Sequence, residues 1–193
     1  MNLLDMLTGQ LSDNNTLNQL GQSSGADTNQ VQQLVQVGLP LLMQAMGKNS
    51  STTEGAQELT AALDQHKDAD VNDIPGFLNK VDTNDGAKIV QHVLGEENEQ
   101  VQKNLAKKTG MDTSQVSSIL TMMAPLVMGY LGQQKKEQNL DASGVSGLLT
   151  NTLSQSSNSG MMNMATQLLD ADKDGSFIDD VGDMLGKLFK KKE

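Results

Sequence analysis

The residues best suited to chemistry form an aspartate-rich segment near the carboxyl end, Asp170-Ala171-Asp172-Lys173-Asp174-Gly175-Ser176. Three carboxylates at alternate positions can converge on a hard cation such as Ca²⁺, and the glycine permits the sharp turn that such a loop needs. The backbone carbonyl of Ser176 can supply one more oxygen ligand. The spacing resembles the first half of an EF-hand loop and marks a candidate calcium site.

The second half of this loop departs from the EF-hand pattern, because Val181 occupies the position of the bidentate Glu. Asp180 is the nearest carboxylate that could complete a shortened loop. In the alternative interpretation the aspartates cap the following helix and complement its dipole, without a metal. Both interpretations stay open, and the candidate metal ligands are Asp170, Asp172, Asp174, Ser176 and Asp180.

Other chemistry is sparse in this chain. The segment Val81-Asp82-Thr83-Asn84-Asp85-Gly86 keeps the Asp-Gly pair but lacks alternating carboxylates, so a helix-capping turn is favoured over a second ion site. The two histidines, His66 and His92, belong to no triad or metal motif, and there is no cysteine. Nucleophile and glycine-rich phosphate motifs are also missing. The sequence therefore predicts a protein that is not an enzyme.

A segment that occurs twice in the chain indicates the main secondary-structure elements. Residues 25–47 and 110–132 share nine identical positions at an offset of 85, and their apolar residues follow the i, i+3, i+4, i+7 spacing of a buried helix face. Asp27 with Gln30, and Asp112 with Gln115, have the spacing of a capping box at the helix start.

Each copy also contains a proline and a final glycine with predicted structural effects. Pro40 and Pro125 lie inside the two helices, so each helix should kink or break there. Gly47 and Gly132 should end the helices as C-terminal glycines.

The fold class follows from this repeat and from the lack of strand-like alternation. We expect an all-α, multihelical protein with two similar helical halves from internal duplication, each with a long Pro-kinked core helix. The predicted division is residues 1–86, residues 87–175, and a terminal amphipathic helix with a lysine-rich tail at residues 176–193.

Composition and charge indicate which partners and which cellular compartment to expect. The formal net charge is -10, and all fourteen basic residues are lysine, so a nucleic-acid partner is not expected. No signal-peptide pattern and no window approaching 18 apolar residues is found, which predicts a cytoplasmic protein without a membrane span.

The terminal helix has two interpretations. Its apolar face, together with Phe189 and the lysines Lys187, Lys190, Lys191 and Lys192, could contact an anionic membrane surface. Alternatively, the helix closes the core and its charges suit its own dipole.

Three segments resemble a bacterial family known as domain of unknown function 937, which includes YidB-like proteins. They are Asp85–Gly95, Gly110–Asp112 with Ala124–Leu131, and the aspartate segment Leu168–Ser176. The resemblance implies a multihelical bacterial protein. It implies no reaction, so no catalytic residue can be transferred from it.

The leading hypothesis is a non-catalytic helical binding protein with one calcium-type loop, acting on an unknown protein partner or by self-association. One alternative is a peripheral membrane or envelope-associated protein that uses the terminal helix. The third is an enzyme with a site between the halves, near the two prolines.

Overall fold

The computed structural model describes residues 3–156 together with residues 165, 166, 168 and 169. This part of the chain is helical and contains no strand, which confirms the prediction of an all-α, multihelical fold. The α-helices of the described residues are α1 (Leu3–Leu11), α2 (Asn14–Ser24), α3 (Thr28–Asn49), α4 (Thr53–His66), α5 (Ile74–Lys80), α6 (Thr83–Leu94), α7 (Asn98–Thr109), α8 (Thr113–Gln138) and α9 (Ala142–Ser156), and a 3-10 turn lies at Gly95–Glu97.

The two long helices, α3 and α8, begin at the predicted capping boxes. The backbone N–H of Asp27 donates to Gln30 Oε1 at 3.2 Å, and that of Asp112 donates to Gln115 Oε1 at 2.9 Å. The preceding helices end at Gly25 and Gly110, which have φ of 70° and 68°. Glycine is needed there because a side chain strains the left-handed conformation.

Helices α3 and α8 continue through Pro40 and Pro125, so neither proline breaks its helix. The expected kink stays a prediction. Pro125 has no N–H to donate to the carbonyl of Thr121 one turn earlier. Gly86 of α6 lies against that same carbonyl, so closely that a Cβ at Gly86 would be 1.8 Å from the Thr121 oxygen. A Cα–H group therefore faces the oxygen that the proline leaves without its helical partner.

The prediction that Gly47 and Gly132 end the long helices was also wrong. The helices α3 and α8 continue to Asn49 and Gln138. A Cβ at Gly132 would be 2.8 Å from the carbonyl oxygen of Leu63 in α4, so this glycine allows two helix backbones to approach closely. Its role is in helix packing rather than in helix termination.

Each long helix packs against helices of the other predicted half. Helix α3 packs against α7 and α9, whereas α8 packs against α2 and α4. Val31 and Val116, at equivalent positions of α3 and α8, are both fully buried. The order of a short helix, a second helix, a long helix and a fourth helix is the same in both halves, whereas their origin by gene duplication stays a prediction.

A single hydrophobic cluster joins residues from both predicted halves. The proposed boundary between residues 86 and 87 lies inside α6, and the proposed terminal region at 176–193 lies outside the described residues. Among the described helices, α8 is long and apolar enough to cross a bilayer, although 78% of its most apolar window is buried within the protein. The sequence count had not predicted such a helix.

Candidate functional site

A cleft of about 280 Å³ opens where the end of α4, the α4–α5 connection, α5 and the start of α6 meet α8. Phe77, Val81 and Pro125 supply apolar walls. The lining also includes ionisable side chains from four consecutive segments: His66, Asp70, Asp73, Lys80, Asp82 and Asp85. Since Pro125 belongs to the second long helix, the cleft lies between the two predicted halves.

Two of these aspartates are held in position because they cap the starts of helices. Asp73 precedes α5 and its Oδ1 accepts from the backbone N–H of Gly76 at 3.1 Å. Asp82 precedes α6 and its Oδ1 accepts from the N–H groups of Asn84 at 2.9 Å and Asp85 at 3.3 Å. The predicted capping turn at residues 81–86 is therefore confirmed. Both capping aspartates also line the cleft.

The α4–α5 connection is fixed against α8. The hydroxyl of Tyr130 lies 2.8 Å from the carbonyl oxygen of Val71 and also meets the side-chain amide of Gln10. Gln133 donates to the carbonyl oxygen of Ala69 at 2.9 Å. Burial raises the pKa of the Tyr130 phenol, and the contact with Gln10 opposes this effect. These bonds hold Asp70 and Asp73 at the edge of the cleft.

His66 and Asp85 form a close pair of basic and acidic side chains in the cleft. His66 Nε2 lies 3.7 Å from Asp85 Oδ2, which is longer than a hydrogen bond. The pair becomes an ion pair when His66 is protonated. The two side chains are 18% and 42% exposed, so water reaches both of them.

The charge of the cleft is negative. Four carboxylates line it against one ammonium, beside the imidazole of His66. A cleft with low-dielectric walls concentrates the field of such a charge set and raises the local concentration of cations. The arrangement is suited to holding a cationic group whose carbon chain contacts the apolar walls.

The model of a family described as "Bacterial protein of unknown function (DUF937)" matches residues 5–134, which is more than half of the chain. The chain belongs to the DUF937 family. No curated protein and no solved structure showed a significant similarity to it.

The DUF937 match includes every residue that lines the cleft, all of α3 and α8 as far as residue 134, and it ends before the aspartate segment. The predicted metal ligands Asp170, Asp172, Asp174, Ser176 and Asp180 lie outside the described residues. Within the described part of the DUF937 protein, no group of three or more His, Asp or Glu side chains is arranged to hold a metal ion.

Sequence reasoning placed a possible site of this DUF937 protein between the halves near the prolines, but it did not identify the residues that line the cleft. Asp82 and Asp85 were recognised only as part of a helix-capping turn, and His66 only as an isolated histidine. A useful signal was present, because four aspartates occur between residues 70 and 85 on either side of Phe77. What the sequence could not give is the approach of Pro125, which lies 40 residues further along the chain.

Proposed function

We propose that this DUF937 protein is a non-catalytic binding protein whose cleft receives a basic, partly apolar peptide segment of a protein partner. The observation that carries the proposal is the cleft itself, in which four carboxylates and one ammonium surround the apolar walls formed by Phe77, Val81 and Pro125. Lysine fits such a site well, because its carbon stem can lie on an apolar surface while its ammonium remains near carboxylates.

The geometry favours binding over catalysis. Asp73 and Asp82 cap α5 and α6, which gives both carboxylates a structural role. His66 and Asp85 are too far apart for the hydrogen bond that would orient an imidazole as a general base. An acid–base mechanism would need this pair to tighten around a substrate.

The experiment is calorimetric titration with a short, blocked peptide of alternating Lys and Leu. A matched peptide with Glu in place of each Lys keeps the apolar surface and reverses the charge. We expect the basic peptide to bind at low salt and to bind more weakly as salt rises, because screening weakens exposed charge interactions. The acidic peptide should give no binding.

Two charge-neutralising variants locate the binding. Asp70 is exposed at the rim, and Asp70→Asn should weaken binding about threefold, as expected for one exposed charge contact. Glu96→Gln removes one exposed charge outside the cleft and should leave the affinity unchanged. Equal binding of both peptides, or equal effects of the two variants, would contradict the proposal.

A second candidate role is calcium binding by the aspartate segment. Leu169, the residue immediately before Asp170, is 8% exposed and belongs to the hydrophobic cluster. An ion held by the following carboxylates would therefore be coupled to the core. The peripheral membrane alternative depends on residues 176–193, which lie outside the described residues.

A further inference from the structure

We infer that the cleft is occupied in the free protein by the chain's own lysine-rich end, Lys187–Lys192, which acts as an internal competitor of the partner segment. This inference rests on the proposed function, since it takes the cleft as a receptor for basic, apolar peptide. It goes further, because it names the segment that occupies the cleft in the free protein. A partner must then displace this segment in order to bind.

Charge complementarity supports this occupant. The end of the chain reads Lys187-Leu188-Phe189-Lys190-Lys191-Lys192-Glu193, with four lysines among its last seven residues. The cleft offers four carboxylates against one ammonium. The terminal segment is therefore opposite in charge to the cleft, within a protein whose net charge is -10.

The apolar residues are complementary as well. Leu188 and Phe189 lie between Lys187 and the last three lysines, so an apolar pair is flanked by positive charge on both sides. In the cleft, Phe77 and Val81 are partly buried and are flanked by aspartates in the same way. Aromatic contact between Phe189 and Phe77 would add to the charge attraction.

Of the other lysine pairs of the chain, one is engaged with aspartates, and the other follows Leu105 and Ala106, which are both buried in the core. Lys135 and Lys136 each donate to an aspartate of the first half, Asp64 and Asp68, at 2.6 Å. The pair Lys107 and Lys108 is followed by Thr-Gly rather than by large apolar residues. Only the terminal segment combines clustered lysines with a Leu-Phe pair.

The length of the connecting chain permits this docking. Seventeen residues separate Leu169, which is anchored in the core, from Lys187. Extended chain spans at most about 3.3 Å per residue, which gives roughly 55 Å. A protein of this size has a radius of gyration of about 16 Å, so the tail can reach any face.

The tether also makes weak contacts effective. A segment tethered to the same chain has an effective concentration on the order of millimolar, so a segment with a dissociation constant of about 0.1 mM would occupy the cleft most of the time. An external peptide would then bind about tenfold more weakly than to the open cleft. The tail therefore sets the affinity threshold that a partner must exceed.

The absence of cysteine allows a direct test on the full chain. Glu193→Cys creates a single thiol for a nitroxide label, and the label should broaden the backbone amide resonances of Phe77, Lys80 and Val81. Raising the salt concentration should reverse the broadening. Replacement of Lys187, Lys190, Lys191 and Lys192 by Gln in the labelled chain should abolish it.

The same tail variant should bind the external Lys-Leu peptide about tenfold more tightly than the unmodified chain does. Asp70→Asn should reduce the broadening, whereas Glu96→Gln should leave it unchanged. Asp70 and Glu96 are exposed, so their substitution should leave the described helices unaffected.

The outcomes separate the two proposals. If the label leaves the cleft amides unchanged while the external peptide still shifts them, the tail is not the occupant and the binding function stands. If neither affects them, both proposals are wrong. Broadening that depends on protein concentration would show exchange between two copies and would overturn docking within one chain.

Discussion

Gln30 of the first half donates from Nε2 to the carbonyl oxygen of Gly110 in the second half, at 2.6 Å. The equivalent bond runs in the opposite direction, from Gln115 to the carbonyl oxygen of Gly25, at 2.5 Å. Each glutamine uses its oxygen for its own capping box and its nitrogen for the helix end of the other half. One side chain therefore fixes both a helix start and the junction between the halves.

The first prediction concerns this double role. Gln30→Glu keeps an oxygen for the capping box but replaces the donor with a carboxylate oxygen that faces the Gly110 carbonyl. We expect the free energy of unfolding to fall by about 1 kcal/mol, although Glu is normally favourable in a capping box. Urea unfolding measures this change, and Gln115→Glu should give a similar value. An unchanged stability in both variants would show that the reciprocal bonds contribute nothing.

The second prediction concerns the contact between α6 and α8. Gly86→Ala would place Cβ 1.8 Å from the Thr121 carbonyl oxygen, so the two helices must separate. We expect a loss of roughly 3 kcal/mol or more in the free energy of unfolding, as for other overpacked backbone contacts. The binding of the Lys-Leu peptide should weaken as well, because Asp85 and Pro125 would move apart.

A matched control is Gly147→Ala in α9, where, among the described residues, no atom outside its own helix backbone lies within 4 Å of the added Cβ. Because alanine is the better helix former, this variant should gain about 0.5–1 kcal/mol. Thermal unfolding of both variants gives the comparison. If the two substitutions had the same effect, helix propensity rather than close approach would govern Gly86.

Local signals in the sequence were sufficient for helix starts and insufficient for helix ends and contacts. The capping boxes at Asp27 and Asp112 were predictable because both partners lie within one turn. The role of Gly132 was not, because it depends on Leu63, which is 69 residues away in the chain. The sequence pattern indicated a helix end at Gly132, whereas the role of this glycine is determined by its packing against α4.

In the candidate site, too, local features were predictable from the sequence and contacts between distant residues were not. Asp73 and Asp82 were each within reach of local reasoning, since a cap depends on the next two or three residues. The cleft forms where α5, α6 and α8 meet, and the sequence alone does not show which helices pack against each other. The third sequence hypothesis placed a site between the halves near the two prolines, and Pro125 does line the cleft, but its partners in the lining were not predictable.

The third prediction uses the single tyrosine of the chain. Burial raises the pKa of Tyr130, so its phenol should ionise above pH 10 in the folded protein and near pH 10 after unfolding. The ultraviolet absorbance of tyrosinate reports this residue alone. A folded-state midpoint at or below that of the unfolded chain would contradict the expectation.

The sign of the stability change follows from the raised pKa of Tyr130. The folded state holds the phenolic proton more tightly, so its contribution is complete below the unfolded pKa and is lost as pH rises through the folded pKa. Tyr130→Phe should remove this alkaline loss. At neutral pH it should cost about 1 kcal/mol, because the Val71 carbonyl loses its partner.

The fourth prediction tests the aspartate segment with calcium. If the loop binds the ion with a dissociation constant of about 0.1 mM, a few millimolar calcium should stabilise the folded state by about 2 kcal/mol. That corresponds to a rise of roughly 5 °C in Tm for a chain of this size. Magnesium should have a smaller effect, because it requires a more rigid octahedral site.

Two substitutions separate specific ligation from general charge screening. Asp172→Asn removes a predicted ligand and should abolish the calcium-dependent rise in Tm, whereas Asp179→Asn removes an equal charge outside the predicted set and should preserve it. Equal loss in both variants would mean that calcium acts only on the net charge of the segment. No rise in Tm for the unmodified chain would leave helix capping as the role of these aspartates, because an ion that prefers the folded state must stabilise it.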